Sequence, residues 1–255
     1  MAENELDIYD EVAGQGFENM GADKFSIPML KIAQATSSIV TDGNVKIGDF
    51  YNSVNGKSYG PSIEVIPVYF DTVWLEWKPN MGGLVGRHKP YSIKTTGDVY
   101  TGLHTLDGND IQEAWCYFVL IKDHEDEGPL MLSATSTNIR YCKIWNGLLN
   151  ESKLPSGKHA PLFCAYWKLE SRKNKNDKGT FFALGEGKTA AIERTTFVPK
   201  EIYLNNVKLL VENAAHMFAQ ASVAEDTEAS TPYAIEDKTE ASTPNAIEDK
   251  TEQKF

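Results

Sequence analysis

The stretch SIEVIPVYFDTVWLEW, Ser62 to Trp77, runs without a glycine and is dominated by Val, Ile, Tyr, Phe, Trp and Thr. These side chains suit the pleated, half-buried surface of a sheet, so the stretch predicts one long strand. A long strand needs neighbours. IQEAWCYFVLIKD (Ile111 to Asp123) has the same composition. The charged turn DHEDEG and the run GPLMLSAT (Gly128 to Thr135) follow it, which reads as a hairpin. PLFCAYWKLESRKN (Pro161 to Asn174) and KGTFFALGEG (Lys178 to Gly187), joined across KNKND, read as a second hairpin. VKIGDFYN (Val45 to Asn52) is a shorter strand before the turn signal NGKSYG.

Two segments break this pattern. In STNIRYCKIWNGLLNES, apolar Ile139, Cys142, Ile144, Trp145, Leu148 and Leu149 recur near helical spacing behind a Ser/Thr/Asn start. PKEIYLNNVKLLVENAAHMFAQA (Pro199 to Ala221) opens on proline and gathers Ile202, Val207, Leu210, Val211, Ala214 and Phe218 on one side. The fold class expected is mainly β with α: an OB-fold-like antiparallel barrel with an inserted helix, a C-terminal helix and a disordered tail.

The chain has 255 residues, of which 41% are hydrophobic and 11% aromatic, as suits a globular protein. It holds no apolar run of about 18 residues, so no membrane span is expected. The start, MAENELDIYDEVAGQG, lacks the basic and apolar regions of a signal peptide. Three widely spaced cysteines, Cys116, Cys142 and Cys164, read as reduced thiols in a cytosolic protein. No CxxC or HxxxH pair occurs, and neither metal nor cofactor is expected.

Formal charge is −11 overall and unevenly spread. Residues 1–23 carry seven acids and no Lys or Arg, and residues 225–255 carry nine acids and three lysines. The middle, 24–224, is therefore faintly basic at +2. Three regions follow: an acidic flexible segment over 1–23, a folded body over 24–224, and a disordered acidic tail over 225–255. The tail repeats a 12-residue unit, Thr227 to Lys238 and Thr239 to Lys250, that differs only at Tyr233 and Asn245. A third copy begins at Thr251 and ends on an aromatic, Phe255. A 12-residue polar unit is too short for a solenoid and reads as a duplicated linker.

No enzyme is expected. GEGKT (Gly185 to Thr189) resembles the end of a P-loop, but Phe182 stands where the first glycine is required. A glycine-rich strand exit fits better. There is no GxSxG, and the acids of DHEDEG sit in a turn.

What the body does show is aromatic residues interleaved with cations. Alternation puts Trp115 and Tyr117 on one strand face, and Cys116 and Phe118 on the other. It puts Tyr166, Lys168 and Arg172 together on a face read as solvent-side, opposite Phe163, Ala165, Trp167 and Leu169. Lys173, Lys175 and Lys178 continue in the following turn. PNMGGLVGRHKPYSIKTTG (Pro79 to Gly97) reads as a flexible stretch carrying Arg87, His88, Lys89, Tyr91 and Lys94, just after Trp74, Glu76 and Lys78. Cations that track phosphates and flat rings that stack bases are what single-stranded nucleic acid binding needs. The expected DNA-binding set is Trp74, Lys78, Arg87, Lys89, Tyr91, Lys94, Trp115, Tyr166, Lys168, Arg172, Lys173 and Lys175.

Four segments, GQGFENMGADKFSIPMLKIAQATSS, GPSIEVIPVYFDTVWLEW, ATSTNIRYCKIWNGLL and FCAYWKLESRKNKNDKGTFFAL, together resemble bacteriophage single-stranded DNA-binding proteins of the OB-fold type. The resemblance covers about Gly14 to Leu184. It implies an OB-fold core, sequence-tolerant binding of single strands, and a role in phage replication, recombination and repair in the host cytoplasm. It also implies a flexible acidic tail whose terminal aromatic docks on replication proteins such as the polymerase or primase-helicase. Here that anchor is Phe255, with Glu248, Asp249 and Glu252 around it. Lys250 and Lys254 dilute the last stretch relative to the family pattern. Self-association is left open. Two other readings compete: a phage protein–protein or host-takeover module without nucleic acid, and a nucleotide-dependent enzyme using GEGKT.

Overall fold

The computed structural model of the chain describes residues 28–98, 102–177 and 179–220. The acidic start (1–23), Lys178, the acidic tail, and with it Glu248, Asp249, Glu252 and Phe255, lie outside the described residues.

The chain enters through a small antiparallel sheet, β1 (Leu30–Ile32), β2 (Phe50–Asn52) and β3 (Ser58–Gly60), with a single turn α1 (Ser38–Thr41) between the first two strands. It then runs through β4 (Ser62–Trp77), β5 (Leu84–His88), β6 (Thr95–Asp98), β7 (Gly102–Thr105), β8 (Asp110–Ile121) and β9 (Leu130–Thr135). Helix α2 (Thr137–Glu151) follows. The chain returns as β10 (Ala165–Glu170), β11 (Arg172–Asn176), β12 (Gly179–Ala183), β13 (Gly185–Glu186), β14 (Thr189–Ala190) and β15 (Ile192–Phe197). It closes on α3 (Lys200–Ile202), a π-turn (Tyr203–Val207) and α4 (Lys208–Gln220).

The stretch quoted first is β4, and it organises the sheet. Along one edge it pairs with β8 over nearly its whole length; along the other it pairs with β10 near Ser62–Val65 and with β5 near Trp74–Trp77. The pairing order is β15-β10-β4-β8-β7-β6, with β9 added on β8. A parallel bridge, Met29 to Met131, ties the small entry sheet to β9.

A bulge between Pro67 and Tyr69 interrupts the register. Proline has no N–H to give the ladder, so it is tolerated at such a break. Because side chains alternate, the extra residue swaps the faces. Ile63 and Val65 point to the front of the sheet before it, and Phe70 does so after it. Ile66, Val73, Leu75 and Trp77 point to the back.

Each face has its own core. In front, Tyr141, Cys142, Trp145 and Leu149 of α2 pack on Val65, Tyr117, Val119, Trp167 and Leu169. The ring of Trp145 stacks on Tyr117 at 4.6 Å. Behind, Val207, Leu210, Ala214 and Phe218 of the C-terminal helix pack on Ile66, Val68, Leu75, Phe118 and Tyr166. Burial on this scale pushes the Cys142 thiol up to about 12 and the Tyr117 phenol well above its ordinary value.

Mainly antiparallel β with helices is therefore the fold, but the expected barrel does not close. Among the described residues β15 and β6 stand at opposite ends of the pairing order. A helix on each face buries the sheet's apolar sides without the curling that closure requires. The hairpin read over 161–187 is made by its inner part alone, β11 with β12; β10 instead enters the large sheet between β4 and β15. The stretch read as flexible, 79–97, supplies β5 and the start of β6.

Candidate nucleic-acid interface

Helix α2 packs on Val65, Tyr117, Val119, Trp167 and Leu169 of the front face. Beyond it the front of the sheet carries Phe70, Thr72, Trp74 and Glu76 of β4 beside Glu113 and Trp115 of β8 and His88 of β5. The register sets their arrangement: Trp74 lies between His88 and Glu113, and Thr72 lies opposite Trp115. Trp115 and Trp74 are thus diagonal neighbours on one face.

Trp115 is half-buried. Its ring stands edge-on to Phe70 at 5.5 Å, its Nε1–H donates to Glu113 at 2.8 Å, and the Lys143 ammonium lies 5.8 Å from its centroid. Trp74 is buried, and its ring meets Tyr91 at 4.9 Å. Tyr91 is 88% exposed and held at φ 63°. A bulky side chain in the left-handed region costs about 1–3 kcal/mol and tends to persist where a site needs it. Lys89 follows His88 directly, Lys78 follows the end of β4, Lys94 precedes β6, and all three are exposed.

The acids of this face are engaged. Asn109 donates to Glu76 at 2.6 Å and His88 Nε2 meets its other oxygen at 2.7 Å. The Asn109 bond, first among the causes, holds the Glu76 carboxyl below the usual range against the opposing effect of burial. Glu76 therefore stays anionic beside the platform, where it can accept from the N–H groups of a base.

Two residues of the expected set belong elsewhere. Tyr166 is 3% exposed and lies in the back core. Its hydroxyl donates to Glu125 at 2.5 Å and Lys122 sits over its ring; burial above all raises its pKa. Alternation does separate Tyr166 from Trp167, but the C-terminal helix covers the face read as solvent-side. Arg87 alternates with His88 to the same covered side, where its guanidinium approaches Cys116 Sγ at 3.5 Å and lies over the ring of Phe218.

The other cations fall into two groups. Lys168 and Arg172 both bind Glu170, with Lys168 also 3.9 Å from Glu193. The cleft there, about 650 Å³, is lined by those two cations against Glu170, Glu186 and Glu193, a poor phosphate track. Lys173 and Lys175 are exposed on the β11–β12 hairpin and share a face with Phe182. Asn174, pointing the other way, donates to the Gly185 carbonyl at 2.7 Å and so ties this hairpin to β13.

GEGKT forms the tight β13–β14 hairpin and is followed by a strand rather than a helix. The Gly187 carbonyl accepts from Arg140 at 2.8 Å and from the Tyr141 hydroxyl at 3.2 Å. A P-loop would turn amides, not a carbonyl, toward its ligand. Among the described residues no group of three or more His, Cys, Asp or Glu is placed to hold a metal ion, and no helix is long and apolar enough to cross a membrane.

Lys143 and Arg140 were absent from the set expected from sequence. Both lie on α2, read only for its apolar stripe, and nothing local in the sequence signals that α2 brings Lys143 beside Trp115 and Arg140 to the Gly187 carbonyl.

The family model that matches this chain is that of the Pam3 phage gp34-like protein, over residues 2–216. Comparison with curated proteins and with solved structures gives no match.

Proposed function

The chain belongs to the Pam3 phage gp34-like family, a bacteriophage family, and we propose that this member binds single-stranded DNA without sequence preference, supporting phage replication, recombination and repair in the host cytoplasm. The observation that carries the reading is the uncovered half of the front face. There an exposed Tyr91, a buried Trp74 and a half-buried Trp115 share the face, with Lys143 5.8 Å from the Trp115 centroid and exposed Lys78, Lys89 and Lys94 in the segments that adjoin it in sequence. The two accessible rings, Tyr91 and Trp115, stack bases of any identity, Trp74 supports Tyr91 from beneath, and the lysines follow the phosphates. The reading assigns no reaction to the protein. It keeps the tail as a tether whose Phe255, with Glu248, Asp249 and Glu252, engages a replication protein.

The electrostatic part is small enough to test. Four lysines, if each meets one phosphate, give a log–log salt dependence of about −3 for a single strand, and each Lys→Ala change removes about 0.7 of that slope. Binding of labelled oligo-dT to the full chain, measured across salt and against duplex competitor, tests this. Equal affinity for duplex and single strand, or no dependence on salt, sinks the reading.

The second reading, a protein–protein module, has its own observation. Leu204 and Leu209 of the C-terminal segment are 50% and 70% exposed. If oligo-dT does not bind, that surface becomes the better candidate.

A further inference from the structure

We propose that the outer face of α2 is a self-association surface, on which a second copy of this chain packs its own α2 antiparallel, crossing at Gly147.

Three observations meet there. Ile144 and Leu148, four residues apart on α2, are 38% and 36% exposed while Tyr141, Cys142, Trp145 and Leu149 are turned inward. Between them sits Gly147, in the interior of a 15-residue helix where glycine is the weakest helix former but proline. Nothing among the described residues accounts for it: its φ is not positive, and an added Cβ would meet none of their atoms within 4 Å. A glycine on an open helix face, with Ile144 and Leu148 along one side of it, lets a second backbone come close.

The charges on α2 select the occupant. Lys143 and Glu151 are both exposed and stand four residues before and four after Gly147. Two copies related by a twofold axis through Gly147 therefore place each Lys143 opposite the partner's Glu151, at both ends of the contact. The same patch is self-complementary, as a twofold interface requires. A parallel pair in the same register would oppose Lys143 to Lys143.

The contact is small. A helix of 15 residues is about 22 Å long, and one helix face falls short of the roughly 800 Å² per partner of a standard interface. Association is accordingly weak and needs measuring from about 1 to 200 µM.

The test is sedimentation equilibrium of the full chain without DNA, so its outcome does not depend on the DNA reading. Wild type moves from monomer to dimer over that range. Gly147→Gln stays monomeric with a melting temperature equal to or above wild type, because the new side chain meets no other described residue of its own chain. Lys143→Glu and Glu151→Lys each weaken the dimer at least fivefold, and the two together restore it. A wild-type chain that remains monomeric at 200 µM overturns the proposal. So does a Gly147→Gln dimer of unchanged strength, and failure of the double reversal to restore association overturns the antiparallel register.

Discussion

Replacing Tyr91 by alanine separates the ring's part in the fold from its part in binding. Tyr91 is 88% exposed, so its own burial contributes little to stability. Among the described residues its one ring contact is the edge-on pair with Trp74, and such pairs are worth about 0.5–1.5 kcal/mol. Alanine inherits the φ of 63°, so no backbone strain is relieved. Tyr91→Ala should therefore lower unfolding free energy by no more than about 1.5 kcal/mol, and circular dichroism should be unchanged. A stacked base, by contrast, is worth about 1–3 kcal/mol, so the dissociation constant for oligo-dT should rise about 5- to 150-fold. The salt slope should stay as it was, because no charge is removed. Trp115→Leu should behave the same way, losing the ring and its Glu113 bond while keeping apolar contact with Phe70. Fluorescence anisotropy at two salt concentrations, with a urea melt of each variant, provides all three numbers. If both variants bind oligo-dT within twofold of wild type, the front-face platform is not where bases stack.

Tyr166→Ala should give the opposite pattern: removing a ring that is 3% exposed costs about 3–5 kcal/mol of stability, and the fraction that remains folded should bind oligo-dT as wild type does. Urea melts paired with binding at low temperature check this. The acid limb of stability should depend on Glu64 and Glu76. Lys122 above all holds Glu64 low, and Asn109 holds Glu76 low. Folded values below the unfolded carboxylate value of about 4.3 stabilise the protein at neutral pH, and that contribution disappears as pH falls through the folded values. Glu64→Gln or Glu76→Gln should flatten the loss between about pH 5 and 2 in thermal melts; an unchanged profile would mean these pairs carry no linkage.

The long strands were legible because they bury both faces. Ser62–Trp77 is strand from end to end in the sequence reading and in the structure. Thr137–Glu151 and the C-terminal helix announce themselves by spacing. What alternation cannot give is which face remains open, since that depends on where a helix distant in sequence is laid. Tyr166 was read as outward because Lys168 and Arg172 share its face, and Arg87 as free for DNA because its stretch was read as flexible; both join the back core with the C-terminal helix. The face pair Trp115 with Tyr117 was assigned correctly, yet α2 covers Tyr117 completely and leaves Trp115 half open. β5 was hidden by Gly86 within it and Gly83 just before it, which lower strand propensity although β4 supplies a ready edge.

Moving Arg87 and Tyr166 into the core changes the energetics expected of the site. Of the eight cations first expected to face DNA, Arg87 serves packing and Lys168 and Arg172 serve Glu170. Lys173 and Lys175 project from a separate hairpin. Near the rings, Lys78, Lys89 and Lys94 remain and Lys143 is gained. Two accessible rings at about 1–3 kcal/mol each, with a handful of phosphate contacts, make a weak site on one copy, consistent with a body that is only faintly basic. Weak sites become effective when joined. A twofold pair of chains carries two platforms, each of which gives up Lys143 to the contact with Glu151, and a strand long enough to reach both gains the avidity of an intramolecular second step, about 100-fold or more. Strand-length dependence therefore separates the two ideas: in a monomer, affinity levels off once one platform is filled, whereas a dimer shows a second rise with longer oligo-dT that Gly147→Gln removes.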